Sequence, residues 1–103
     1  MLDLTQIKSR YFPVKLQKAD GKTIVISVKP PKTKTLKAIT GLKNIGDNVD
    51  FDDVIDAVLS VLNNNKSGYK VPREIIEDMD IDTMIYLLTE IMAWVNNERK
   101  EKN

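Results

Sequence analysis

The sequence predicts an α+β protein, an N-terminal β-hairpin followed by a bundle of three to four helices. Three observations point there. Apolar residues alternate with a period of two over Phe12–Leu16 and β-favouring residues run through Thr23–Val28 with Ile24, Ile26 and Val28 on one face, an Asp20-Gly21 turn signal separates the two runs, and from Leu36 onward the apolar spacing changes to three and four. A chain of 103 residues has the material for one domain, 1–103, because at this size only about two thirds of the unfolded surface can be buried.

Residues 1–10 are mixed in character and are expected to fray. The hairpin occupies 11–29. In its first strand Phe12, Val14 and Leu16 share one face and Pro13, Lys15 and Gln17 the other, and in Thr23–Val28 the inward positions are Ile24, Ile26 and Val28. Pro30-Pro31 ends the second strand, since proline has no ladder donor and restricts the residue before it.

The helical part spans 33–98. Leu36, Ile39, Leu42 and Ile45 set out a short helix, weakened by Gly41 in its interior and stopped by Gly46-Asp47-Asn48. Asp50 is placed to cap a second helix, with Asp52 and Asp53 in its first turn, where the helix dipole favours negative charge. Its stripe is Phe51, Val54, Ile55, Val58, Leu59 and Leu62. Asn63–Gly68 reads as a loop by composition, and Val71-Pro72 opens a brief helical segment with Ile75, Ile76 and Met79 on its apolar side. Asp80 or Asp82 then caps the longest helix, over roughly 83–98, before a charged tail at 99–103.

Composition narrows the chemistry. There is no cysteine and no histidine, which removes disulfides, thiolate or imidazole zinc sites, cysteine and serine–histidine nucleophiles and the usual near-neutral base. The four glycines are scattered, and neither GxGxxG nor GxxxxGK[ST] occurs. Asp78-x-Asp80-x-Asp82 has the opening spacing of a calcium loop, but Thr83 stands where glycine must make the turn and Thr89 where a bidentate glutamate is required. These carboxylates read as helix caps. The expectation is a protein without enzymatic activity, cofactor or metal.

The net charge of +1 hides a division: residues 1–46 carry ten basic groups against two acidic, and residues 47–103 six against thirteen. Such asymmetry fits complementary packing within or between subunits, or an oppositely charged partner. A nucleic-acid patch on Lys15, Lys22, Lys29, Lys32 and Lys34 is one reading, although the outward positions Thr23, Val25 and Ser27 offer no aromatic platform for bases. Lysines along a hairpin also guard its edges against aggregation.

The last helix carries two apolar stripes side by side. Ile81, Ile85, Leu88, Met92 and Val95 form one, Met84, Leu87, Ile91 and Trp94 the other, and together they cover about half the circumference, where a core-facing helix needs about 100°. Either a bundle wraps both, or one faces a partner; Met84, Leu87, Ile91 and Trp94 are the candidates for the partner face, methionine and tryptophan being suited to adaptable or hot-spot contacts.

The succession of Phe12-Pro-Val-Lys-Leu-Gln-Lys-Ala-Asp-Gly-Lys-Thr-Ile24, the Lys29-Pro-Pro-Lys32 connector, Asn63-Asn-Asn-Lys-Ser-Gly-Tyr-Lys-Val71 and the closing Leu87-Leu-Thr-Glu-Ile-Met-Ala-Trp-Val95 resembles the tail assembly chaperones of long-tailed phages and prophages of Gram-positive bacteria. The resemblance covers residues 11–97 and lies in size, element order and the hydrophobic closing helix, so no residue's role carries over. It implies a non-enzymatic protein that binds the tape measure protein, keeps it soluble and promotes assembly of tail-tube subunits around it, with self-association as a further possibility. A minor structural component of the tail is the related alternative. Met1–Gln6 has no basic and apolar leader pattern and no stretch reaches the roughly 18 apolar residues of a membrane span, so a cytoplasmic location in the host cell is expected.

Overall fold

A computed structural model describes residues 10–42 and 50–101, the side chains of 98–101 excepted. Its order is β1 (Phe12–Gln17), β2 (Thr23–Val28), α1 (Thr33–Gly41), α2 (Phe51–Asn63), α3 (Arg73–Glu77) and α4 (Ile81–Glu101), an antiparallel hairpin followed by four helices. The α+β class and hairpin are as the periodicity predicts. Ile45, the Gly46–Asn48 stop and residues 1–9, 102 and 103 lie outside the described residues.

The hairpin register pairs Phe12 with Val28, Val14 with Ile26 and Leu16 with Ile24. Leu16, Ile26 and Val28 are buried, and Phe12, Val14 and Ile24 pack against the core, so the period-two face is the inward face. The turn is a three-residue loop: Gly21 N–H donates to Lys18 O at 2.9 Å and Lys18 N–H to Lys22 O at 2.7 Å. Gly21, at φ +86°, takes the left-handed position such a loop requires, and Asp20 Oδ1 accepts from Lys22 N–H at 2.9 Å.

α1 spans Thr33–Gly41, with Leu42 as its C-cap. Gly41 is its last residue rather than an interior one, which suits glycine's poor helix propensity. α2 is the central element and contacts β2, α1, α3 and α4. Asp50 caps it, its Oδ1 accepting from Asp52 N–H at 3.0 Å. Val54, Ile55, Ala57, Val58, Val61 and Leu62 are buried, whereas Phe51, expected in the stripe, is 59% exposed because it leads the first turn beyond the core. Arg73 at the start of α3 reaches Asp56 at 2.7 Å, Asp52 at 3.0 Å and Glu77 at 3.4 Å, joining α3 to α2. The carboxylates, Asp56 foremost, push the guanidinium pKa upward.

The segment after α2 holds more structure than its composition implies. Asn63 Oδ1 accepts from Val71 N–H at 2.6 Å and Asn64 Nδ2 donates to Pro30 O at 3.2 Å. Asn65 is the one buried polar residue among those described; its Nδ2 donates to Leu62 O and Tyr69 O, both at 2.8 Å, and its Oδ1 accepts from Tyr69 N–H at 2.9 Å and Ser67 Oγ at 3.2 Å. Lys29 N–H donates to Asn64 O and Lys66 N–H to Ser27 O, both at 2.8 Å, so the segment is tied to the end of β2 by a single antiparallel bridge between Val28 and Asn65.

α4 starts at Ile81 and continues through Glu101, so residues 99–101, expected as tail, are helical. Asp80 is its cap, accepting from Thr83 N–H at 2.9 Å, and Thr83 holds its carboxyl below the ordinary carboxylate value. Asp82 lies in the first turn.

Two outcomes follow. Asn65→Ala strips the partners from Tyr69 N–H, Tyr69 O and Leu62 O; at about 1–3 kcal/mol for a buried group left unsatisfied, it should lower stability by at least about 2 kcal/mol in urea unfolding. Asp80→Ala should lower the thermal midpoint near neutral pH. A carboxyl whose folded pKa is depressed stabilises above its unfolded value and stops doing so as pH falls through the folded one, so the gap between wild type and variant should close as pH drops below the 3.8 of a free aspartate.

Candidate partner-binding surface

α4 positions both of the stripes that the sequence offers as partner faces. Met84 is 4% exposed and Ile91 fully buried, with Leu87 half-buried against the core. Trp94 is half-buried, its ring 5.4 Å from that of Phe12 at a 48° tilt, with the Arg10 guanidinium 5.7 Å from its centroid. Of the stripe Met84, Leu87, Ile91 and Trp94 offered as a partner face, Met84 and Ile91 are thus taken up by the core, while Leu87 and Trp94 stay half-buried and Trp94 packs on Phe12 of the hairpin.

The other stripe is the more open one. Leu88 is buried, but Ile81, Ile85, Met92 and Val95 are half-buried, and Ile85 and Val95 do not pack against the core. At about 100° per residue the buried Met84, Leu88 and Ile91 lie in the middle of the apolar arc, and Ile81, Ile85 and Met92 form its margin. Exposed Asp82, Thr89, Ala93 and Asn96 border that margin. The result is an apolar strip with a polar edge along one helix. Val95 is central by angle, yet half-buried, because the last turns of α4 pass the end of the core.

Tyr86, on the opposite side of α4, is 65% exposed; its phenol donates to Glu90 one turn on, which with the carboxylate charge raises the phenol pKa. No signal in the sequence marked this pair apart from its i,i+4 spacing.

The basic residues do not gather into one patch. Lys15 projects from β1 beside the 62% exposed Val25, Lys22 lies at the turn, and Lys29, Lys32 and Lys34 lie beyond the far end of β2, about 20 Å away along a six-residue strand. All five are exposed. Arg73, itself in the acidic half, pairs with Asp52, Asp56 and Glu77 of the same half. Also among the described residues, no three carboxylates converge to hold a metal, and no helix is long and apolar enough to cross a membrane.

Comparison with family models, curated proteins and solved structures finds no match.

The two stripes should separate by mutation. Ile91→Asp places a charge at a fully buried position and should cost about 3–5 kcal/mol, enough to unfold a domain of this size. Ile85→Asp should change stability by less than about 1 kcal/mol. Chemical denaturation followed by circular dichroism measures both.

Proposed function

We propose that the protein is a non-enzymatic tail assembly chaperone of a long-tailed phage or prophage, acting in the cytoplasm of the host bacterium, where it binds the tape measure protein, keeps it soluble and promotes tail-tube assembly. The observation that carries this reading is the half-buried apolar strip Ile81, Ile85, Met92 and Val95 of α4, in which Ile81 and Met92 pack against the core while Ile85 and Val95 do not and so offer a helical client an apolar contact. The element order, hairpin, connector and closing helix, supports the resemblance from which the reading starts.

The strip suits helix-on-helix contact, since residues spaced by three and four along α4 can meet the equivalent ridge of an amphipathic client. Its small apolar area favours binding that is reversible, as a chaperone that leaves before the tail is complete requires. The polar border formed by Asp82, Thr89 and Asn96 limits nonspecific adhesion.

Co-expression with the tape measure protein tests the reading. The native chain should co-purify with it and raise its soluble fraction, and Ile85→Asp combined with Val95→Asp should reduce both at least tenfold while leaving the circular dichroism spectrum unchanged. Undiminished co-purification by the double variant, or recovery of the protein in purified virions, would count against it.

A further inference from the structure

The hairpin turn overhangs the segment that leads into α3, and the space between them is a groove of about 570 Å³ lined by Gln17–Gly21 on one side and by Tyr69, Pro72, Glu74, Ile75 and Asp78 on the other. This volume falls within the about 300–1,000 Å³ of ligand clefts. Tyr69 and Ile75 are half-buried and, with Pro72, give the groove an apolar floor.

Its rim is acidic. Asp20, Glu74 and Asp78 face Lys18, a surplus of two negative charges. The neighbouring carboxylates of Asp52, Asp56 and Glu77 are engaged by Arg73, whereas those of Asp20, Glu74 and Asp78 enter no ion pair among the described residues. Asp20 spends one oxygen on the backbone of Lys22, which fixes its position at the mouth of the groove.

The walls are held in place from behind. Tyr69 is bonded through both its N–H and its C=O to the buried Asn65 amide, Val71 N–H is bonded to Asn63 Oδ1, and the turn is closed by Lys18 and Lys22. A groove with fixed walls loses little conformational freedom on binding.

From this combination we infer that the groove binds a short cationic segment of a partner protein, an apolar side chain resting on Tyr69, Pro72 and Ile75 while a lysine or arginine sits between Asp20 and the Glu74 and Asp78 carboxylates. The occupant is defined by charge and size alone. The inference is independent of the α4 strip, and of whether the client of that strip is the tape measure protein.

The test uses the full chain and a fluorescein-labelled Lys-Leu-Arg-Leu-Lys peptide, with Glu-Leu-Glu-Leu-Glu as its charge-reversed counterpart, followed by fluorescence anisotropy. The cationic peptide should bind, more weakly as salt rises, and the acidic one should not. Glu74→Lys combined with Asp78→Lys should weaken binding at least tenfold, while Asp82→Lys, on α4 and outside the groove, should leave it within twofold. Amide shifts on titration should concentrate at Tyr69–Asp78 and Lys18–Gly21. Equal weakening by Asp82→Lys would reveal nonspecific attraction and overturn the proposal. So would failure of the peptide to bind, or sedimentation showing that a second copy of the chain fills the groove in its place.

Discussion

Three consecutive asparagines hold this protein together. Asn63, Asn64 and Asn65 end the central helix, and each amide reaches a different segment: the approach to α3, the proline connector and the loop that returns the chain. A helix end leaves carbonyls without partners, and a loop pressed against a core cannot leave its own amides dry and unpaired. The asparagine side chain carries both donor and acceptor, so one short run meets both needs. The backbone of the same run pairs with the end of β2, which makes the attachment of the hairpin to the helices partly a matter of sheet and not only of apolar contact.

The rest of the architecture follows from α2 being fixed at that end. Its buried face receives β2, α1, α3 and α4 in turn, and Arg73 fastens α3 along its other side through carboxylates that also favour its first turn. These pairs lie within the acidic half. Lys15, Lys22, Lys29, Lys32 and Lys34 are exposed and spread from one end of the hairpin to the start of α1, and a lysine on a strand edge, as Lys15 is on β1, discourages unwanted strand pairing.

Much of this is legible in the sequence, because the periods of two and of three to four record which side of each element is buried. The strands, their inward faces, the Asp50 cap and the order of helices are all readable from those periods and from turn chemistry. The role of the asparagines is not. Composition marks Asn63–Gly68 as polar, but says nothing of which distant backbone group an amide will find. The two stripes of α4 are also equivalent on a wheel, and their roles depend on how the helix is rotated about its axis. The structure points the middle of the combined arc at the core, leaving Ile85 on one margin and Trp94 near the other. The sequence signal for that rotation is the midline of the combined arc, where Met84, Leu88 and Ile91 lie.

The contact between Phe12 and Trp94 joins the first described strand to the last helix, 82 positions apart in the chain. Bringing such distant positions together requires a long loop closure, a cost that grows slowly with length but must be met before the contact rewards it. Trp94 is also the sole tryptophan. Its emission is thus an internal optical gauge of chain closure, separable from the helix content that circular dichroism records, and it distinguishes a chain whose helices have formed from one whose two ends have met.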